Sequence, residues 1–441
     1  MKEQGGGSEV PRERGGILIG GIRYQGKTVD VVVDAAGKIA GMGAGAGERA
    51  RADAGTRIDG RGLLLMPGLV NTHTHAAMTL LRGYADDMPL QEWLGTKIWP
   101  LEARLTGGDV YWGTKLACLE MIRSGTVAFN DMYFFMEKAA RAVQETGLRA
   151  TLSHGFIDLG DPDKREKEMK ATEHLISFVK RLEEPRVQVA AGPHAVYTVS
   201  PEGLRWCADL AREEGIGIHV HLSETEQEVR DCRAAHGKLP AAHLDACGCL
   251  TGRTVAAHCC WLDRDEVALL AARGASASHN PASNMKLAVN RAMPYPWMKD
   301  AGVNITLGTD GCASNNSLDM FGAMKQAALL QKFAWNAQTA LPAPEVLHAA
   351  TAAGGRALGI PSGTIRTGAP ADLVLVNLRA PAMTPLFSEE SDLVYAATGS
   401  LVDTVICDGR ILMLHGVVPG EEEILSRAAK AAASLVARGG A

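Results

Sequence analysis

The chain has 441 residues, 46% of them hydrophobic and 22% charged, with a formal net charge of −5. This is ordinary for a folded protein with a large core, and the lack of any dense Lys/Arg block excludes the electrostatic footprint of nucleic-acid or anionic-membrane binding. The length allows two or three domains, or one large barrel with an appendage. No apolar run approaches the ~20 residues of a membrane span, and the start MKEQGGGSEVPRERGG lacks an apolar core of signal-peptide length. A cytoplasmic protein with a small-molecule partner is expected, with a homo-oligomer left open. Nine cysteines, two of them adjacent (Cys259, Cys260), suit reduced thiols better than a disulfide framework. Cys247-Gly-Cys249 has no second pair at zinc-finger spacing and reads as packing.

In chain order, Gly16–Ile22, Thr28–Val33 and Lys38–Met42 read as short strands split by turns. An alternation of strands and amphipathic helices follows. Its strands are expected at Leu63–His75, Thr126–Tyr133, Arg149–Ile157, Val187–Val196, Gly217–Ser223, Thr254–Cys259, Ala275–His279 and Val303–Asp310. Lys138–Gly147 and Asp263–Gly274 read as helices closed by Gly, and Ser200-Pro201-Glu202 as an N-cap with Pro at the first helical position. Such alternation predicts a parallel sheet, and eight strands predict a closed (β/α)₈ barrel of the TIM type. Helices over Ser317–Asn336 and Pro344–Leu358 come next, then strands at Asp372–Asn377, Val405–Cys407 and Arg410–Leu414 and a terminal helix. The expected α/β architecture is a barrel over 66–360, flanked by a small β-sandwich that both ends, 1–65 and 361–441, build together.

The strongest local signal is Asn71-Thr72-His73-Thr74-His75 at a strand end. Side chains alternate along a strand, so His73 and His75 share a side and can share one divalent metal. An isolated pair fits two hydrogen-bonded loop histidines equally well. Its place at the C-terminal end of a barrel strand, where barrel enzymes build their sites, favours metal. His219 and His221 in the fifth strand also share a face, and spacing alone does not choose between them. Glu224 follows closely enough to carry protons beside a metal, although a first-turn helix carboxylate is the competing reading. His258 ends the sixth strand. Asp310 ends the eighth, where a buried carboxylate is costly unless it meets a cation or several donors.

The stretches MPGLVNTHTH, HVHLSE, AAHCCWL, SHNPASNMKLA and TLGTDGCASNNSLDM together resemble the amidohydrolase superfamily. More narrowly they resemble its methylthioadenosine/S-adenosylhomocysteine deaminase group, which also looks like the triazine hydrolases. The resemblance runs from about Gly16 to Gly420. It implies that His73, His75, His221 and Asp310 hold one catalytic zinc, with Fe²⁺ or Mn²⁺ as alternatives, and so selects His221 over His219. It makes Glu224 the proton shuttle, with His258 orienting water or the attacked ring and Asp310 sharing in catalysis. Glu102, in Trp99-Pro100-Leu101-Glu102, matches a position that holds ribose hydroxyls, and His194 one that contacts the purine. Arg165 loosely matches an arginine that reaches the substrate's far end, though its strongly charged helix fits a solvent-facing role as well, and Trp93 packs either on the ligand or in the core. Cys259, Cys260 and Cys312 stand beside site positions where many relatives carry small or apolar residues; they are read as inert packing. No strand-four lysine is evident for a carbamate bridge, so one metal is expected.

The implied reaction is hydrolytic deamination of adenine nucleosides: methylthioadenosine, S-adenosylhomocysteine, adenosine or 5′-deoxyadenosine. The competing expectations are a hydrolase of a free base or triazine, for which Glu102 has no task, and a non-catalytic metabolite-binding barrel, for which Glu224 has none.

Overall fold

The computed structural model describes residues 15–50, 55–88 and 90–439. Eight parallel strands form one sheet in sequential order: Leu69–Thr74, Thr126–Tyr133, Arg149–Phe156, Val187–Pro193, Gly217–Leu222, Thr254–His258, Ser276–His279 and Asn304–Leu307. The last strand comes round to the first. Thr72 Oγ1 donates to the Leu307 carbonyl at 2.9 Å, and the amides of Thr309 and Asp310 donate to the His73 carbonyl at 3.1 and 2.9 Å. This closes the expected barrel and sets Asp310 against His73.

The helices between the strands start and stop where the sequence signals it. Met136–Thr146 ends at Gly147 in the left-handed conformation (φ 92°), and a Cβ at that position would stand 2.6 Å from Leu412. Pro201–Glu214 starts from Ser200, whose hydroxyl accepts from the Gly203 amide, and Arg264–Arg273 starts from Asp263 in a reciprocal capping box. The run expected as one helix over Pro344–Leu358 is two, Ala343–Ala349 and Ala352–Leu358.

Leu63–His75, read as one strand, is also two. Leu63–Pro67 belongs to another sheet, and Leu69–Thr74 opens the barrel. The break falls at Gly68, where a Cβ would sit 2.3 Å from Val127 of the neighbouring strand; only a residue without a side chain allows the chain to cross there. The strands expected to form the β-sandwich are hydrogen-bonded into one eight-stranded mixed sheet, with Ile17–Tyr24, Lys27–Val33, Ile39–Gly43, Thr56–Asp59 and Leu63–Pro67 from one end and Leu373–Asn377, Val402–Cys407 and Arg410–Met413 from the other. Alternate residues such as Ile19, Val31, Leu65, Leu373 and Ile406 gather into a core separate from that of the barrel.

A buried ion network joins the two bodies. Arg149, at the start of the third barrel strand, donates to Asp372 at 2.9 Å and to Asp408 at 2.8 Å, and its side chain is only 7% exposed. Breaking a buried pair from one side leaves a buried charge without its counterion. Arg149→Met is expected to cost about 3–5 kcal/mol, read as a lowered denaturant midpoint; a midpoint equal to wild type would contradict this account. The terminal helix Glu421–Gly439 lies along the barrel helix Gly107–Arg123, held by Arg123–Glu421 at 2.7 Å and by an Arg438–Asp109 pair.

Candidate active site

The Nε2 atoms of His73 and His75 each stand 3.3 Å from the same oxygen of Asp310, and His221 Nε2 stands 3.3 Å from His75 Nε2. His73, His75 and His221 offer ligand atoms within 4.8 Å of one another, as do His73, His258 and Asp310. Each of the first three rings is anchored through its other nitrogen. His75 Nδ1 lies 2.6 Å from the Met132 carbonyl, His221 Nδ1 lies 2.7 Å from the His194 carbonyl, and His73 Nδ1 lies 2.7 Å from His219 Nε2. A carbonyl only accepts, so His75 and His221 donate from Nδ1 and turn Nε2 towards the cluster.

His73 Nε2 is buried and has no hydrogen-bond partner. A buried nitrogen left so is costly unless a cation takes up its lone pair. Three imidazoles and a carboxylate are a donor set suited to a divalent ion such as zinc, so the residues present fit the expected metal. Burial, with His194 and His73 beside it, keeps His221 well below the usual histidine range, and burial brings His73 down to about 4. Both are therefore neutral, as ligands must be. Burial also disfavours charge on His75, but the Asp310 carboxylate outweighs it and raises that ring to about 9. A proton and a metal cation compete there for one lone pair. Burial opposes charge on Asp310 too, yet His73 and His75 hold its carboxyl well below the usual range.

Asp310 is held in the left-handed region, φ 61°. That conformation is uncommon for a residue with a side chain and persists only where the surroundings over-determine it. Here the Gly311 amide donates to Oδ1 at 2.8 Å, and the Ser283 and Ser314 hydroxyls donate to Oδ2 at 2.6 and 3.1 Å.

His75, His221 and Asp310 form part of the wall of a cavity shared with Glu224, His258, Glu102 and His194. The helix after the fifth strand begins at Glu226 with Thr225 as its N-cap, so Glu224 precedes the helix rather than sitting in its first turn. Its Oε2 is 3.9 Å from His258 Nε2, and burial raises its carboxyl against the pull of His258. Glu228 supplies the helix-start carboxylate instead, accepting from the Ser223 and Glu224 amides at 2.9 and 2.8 Å. Burial pushes it up to about 7.

Glu102 ends the short helix Trp99–Glu102. Burial raises its carboxyl, while the Tyr133 hydroxyl facing it acts the other way. His194 donates from Nδ1 to Thr198 Oγ1 at 2.8 Å, because the Thr198 hydroxyl itself donates to the Ala195 carbonyl at 3.2 Å. That leaves Nε2 of His194 as an acceptor, and burial beside His75 and His73 holds the ring at about 3. Trp93 is buried in the cavity wall, followed by a π-helical turn at Leu94–Ile98. Turns of that kind recur at functional sites.

Arg165 does not join them. Its Nε donates to the fully buried carboxylate of Asp158 at 2.9 Å, and it is not among the residues that line the cavity. The cysteines near the site are buried and free, with burial pushing the thiols of Cys259, Cys260 and Cys312 up. Sequence reasoning missed Tyr133, Glu228 and the part of His219 behind His73. Within SHNPASNMKLA, nothing local marks Ser283 as the residue that donates to Asp310.

The chain is similar to known proteins along nearly its whole length. Residues 64–412 match the model of the amidohydrolase family. The chain is 61% identical, over 96% of each sequence, to a 5′-deoxyadenosine deaminase of Methanoregula boonei, and 50% identical, over 94% of each, to 5-methylthioadenosine/S-adenosylhomocysteine deaminase 1 of Archaeoglobus fulgidus. The crystal structure of an adenosine deaminase from Xanthomonas campestris with bound zinc superposes with a TM-score of 0.89 at 36% identity, covering 97% of this chain and 100% of that one. With its barrel, its His/Asp cluster and relatives this similar along nearly their whole length, the chain belongs to the amidohydrolase family.

Proposed function

We propose that this protein removes the 6-amino group of adenine nucleosides by hydrolysis, with one divalent ion, zinc or else Fe²⁺ or Mn²⁺, held by His73, His75, His221 and Asp310. The observation that carries the reading is the meeting, in one cavity, of this ligand cluster with Glu224 and Glu102. The names of the relatives agree with it. When bound, the ion supplies Lewis acidity that brings deprotonation of water into the neutral range.

The chain's own side chains do the rest. His258 and Asp310 take up the proton as the water oxygen bonds to C6 of the ring. Glu224, its carboxyl raised by burial, delivers a proton to the ring nitrogen N1. The proton taken up by His258 and Asp310 then passes to the exocyclic amine; the C6–N bond breaks as the C6 hydroxyl becomes a carbonyl and returns its proton to Glu224, and ammonia leaves, giving the inosine analogue. His194 offers Nε2 as an acceptor to the purine, Trp93 packs on it, and Glu102 accepts from the ribose hydroxyls.

The 5′ substituent is small and apolar in this reading. Among the described residues no Lys or Arg lines the cavity, whereas Leu94, Ile98, Phe134 and Ile157 do. An amino-acid tail would find no cation for its carboxylate, since Arg165 is engaged with Asp158. 5′-Deoxyadenosine and methylthioadenosine are therefore placed ahead of S-adenosylhomocysteine. The cytoplasm is the proposed location, with neither nucleic acid nor membrane as partner; no described helix is long and apolar enough to cross a membrane.

Charge-assisted hydrogen bonds from two ribose hydroxyls to Glu102 contribute roughly 1.5–3 kcal/mol each. A 2′-deoxyribonucleoside is thus expected to have a kcat/KM at least about tenfold below its ribo counterpart, and Glu102→Ala to abolish the difference. Ammonia release from a panel of nucleosides, guanine and melamine measures both. Faster turnover of guanine or melamine, or ribose discrimination intact in Glu102→Ala, would replace this reading with a base or triazine hydrolase.

A further inference from the structure

We infer that Asn284, with the Cys260 thiol behind it, is a positioning residue that fixes the proton of His258 on Nδ1, so that Nε2 meets the reacting water as an acceptor. Its catalytic consequence rests on the deaminase reading above; the placement of the proton does not.

The three side chains form a closed buried unit, with His258 1%, Asn284 3% and Cys260 0% exposed. His258 Nδ1 lies 2.8 Å from Asn284 Oδ1, Asn284 Nδ2 lies 3.0 Å from Cys260 Sγ, and Cys260 Sγ lies 3.7 Å from the His258 carbonyl. The two ends of an amide have nearly the same shape but opposite hydrogen-bonding character. Which end faces His258 therefore depends on what the other end meets. Here it meets a sulfur whose hydrogen is committed to the His258 carbonyl, and burial pushes that thiol far above its ordinary range, so the hydrogen stays. The sulfur can then only accept. It draws the amide nitrogen, which leaves the amide oxygen for His258, and an oxygen requires N–H at Nδ1.

The consequence falls on the other side of the ring. Nε2 carries a lone pair where His258 lines the cavity, 3.9 Å from Glu224 Oε2. A reversed amide would place N–H there and remove the acceptor. Glu224 and His258 thus divide the work: the carboxyl passes a proton to the ring, and the imidazole is set to receive one.

The backbone is shaped to make this unit. His258 and Cys259 are both left-handed, φ 69° and 54°. The turn is fixed by the Cys259 amide donating to Leu222 at 2.9 Å and the Trp261 amide donating to Ser223 at 2.8 Å. Two such residues in succession fold the chain back, so that the thiol two positions on reaches the carbonyl of His258 itself.

The test uses the full-length, zinc-loaded chain carrying ¹⁵N-histidine, since zinc is diamagnetic. Two-bond ¹H–¹⁵N correlation distinguishes Nδ1–H from Nε2–H, and the His258 signals are assigned by their loss in His258→Gln. Wild type is expected to show Nδ1–H. Cys260→Ala, which takes away the acceptor and frees the amide to turn, should populate Nε2–H and lower kcat about tenfold or more, with KM and bound metal unchanged. Cys260→Ser, whose hydroxyl both accepts and donates, should recover the wild-type tautomer and most of the lost rate. A wild-type His258 protonated on Nε2, or a Cys260→Ala protein with unaltered tautomer and kcat, would overturn the inference. Correct tautomers without any ammonia release would instead overturn the deaminase reading and leave this one standing.

Discussion

Glu224→Gln is expected to keep its full complement of metal and lose ~10²–10⁴-fold in kcat, the usual worth of a positioned proton donor. The amide is nearly isosteric with the carboxyl but cannot pass a proton, and the backbone at 224 stays tied to Glu228 through its amide. KM should change little, because the contacts proposed to hold the nucleoside come from Glu102, His194 and Trp93. Elemental analysis and steady-state ammonia release together separate the outcomes. Wild-type turnover would show that Glu224 does no acid–base work, despite its place in the cavity.

His73→Ala is expected to remove both metal and activity. One ion per chain should be found in the wild type, since the four proposed ligands surround a single centre. His73 is the ligand with least slack: its ring is 0% exposed, its Nε2 makes no well-aligned hydrogen bond, and its Nδ1 is backed by His219. Truncation removes a donor and at the same time leaves His219 without the neighbour that occupies its Nε2. Dialysis against a chelator should reproduce the loss in wild type, with recovery on adding Zn²⁺. Deamination at the wild-type rate by a metal-free His73→Ala protein would exclude the ligand assignment.

How far these residues were legible in the sequence depends on the range of the forces involved. The barrel strands are set by local apolar periodicity bounded by turn residues, and seven of the eight lie within three residues of their expected bounds, the exception being the first. Strand parity likewise brought His73 and His75 together, because alternation is a property of the backbone alone. The same parity left His219 and His221 indistinguishable. What separates them is the His194 carbonyl just past the end of the adjacent strand, which anchors His221 and turns it to the cluster. That contact has no sequence signature.

Breaks within runs were invisible for a similar reason. Leu63–His75 is continuous in pattern, and only Val127 across the sheet explains why the chain must part at Gly68. In Pro344–Leu358 the Thr351 hydroxyl bonds back to the Leu347 carbonyl at 2.6 Å where the two helices meet, a competition with the helix ladder that single propensities do not reveal. Arg165 shows the opposite limit. Its neighbourhood resembles a substrate-reading helix, but Asp158, buried and needing a counterion, claims the guanidinium first.

The sheet that unites the two chain ends also has a consequence for how the molecule is made. Ile17–Tyr24 and Leu63–Pro67 leave the ribosome ahead of the barrel strands, yet Leu64 pairs with Val376, and Arg149 in the third barrel strand meets its carboxylates only at Asp372 and Asp408. Such distant pairings come late, because the intervening loop must be closed before any contact rewards it. Throughout synthesis of the barrel, the nascent N-terminal strands therefore present an open edge and a buried-to-be cation lacks its partners, conditions under which incomplete chains associate with one another. The segment from Leu373 to Met413 acts as a clasp: the scaffold that steadies the catalytic strands is completed only after all eight barrel strands have emerged.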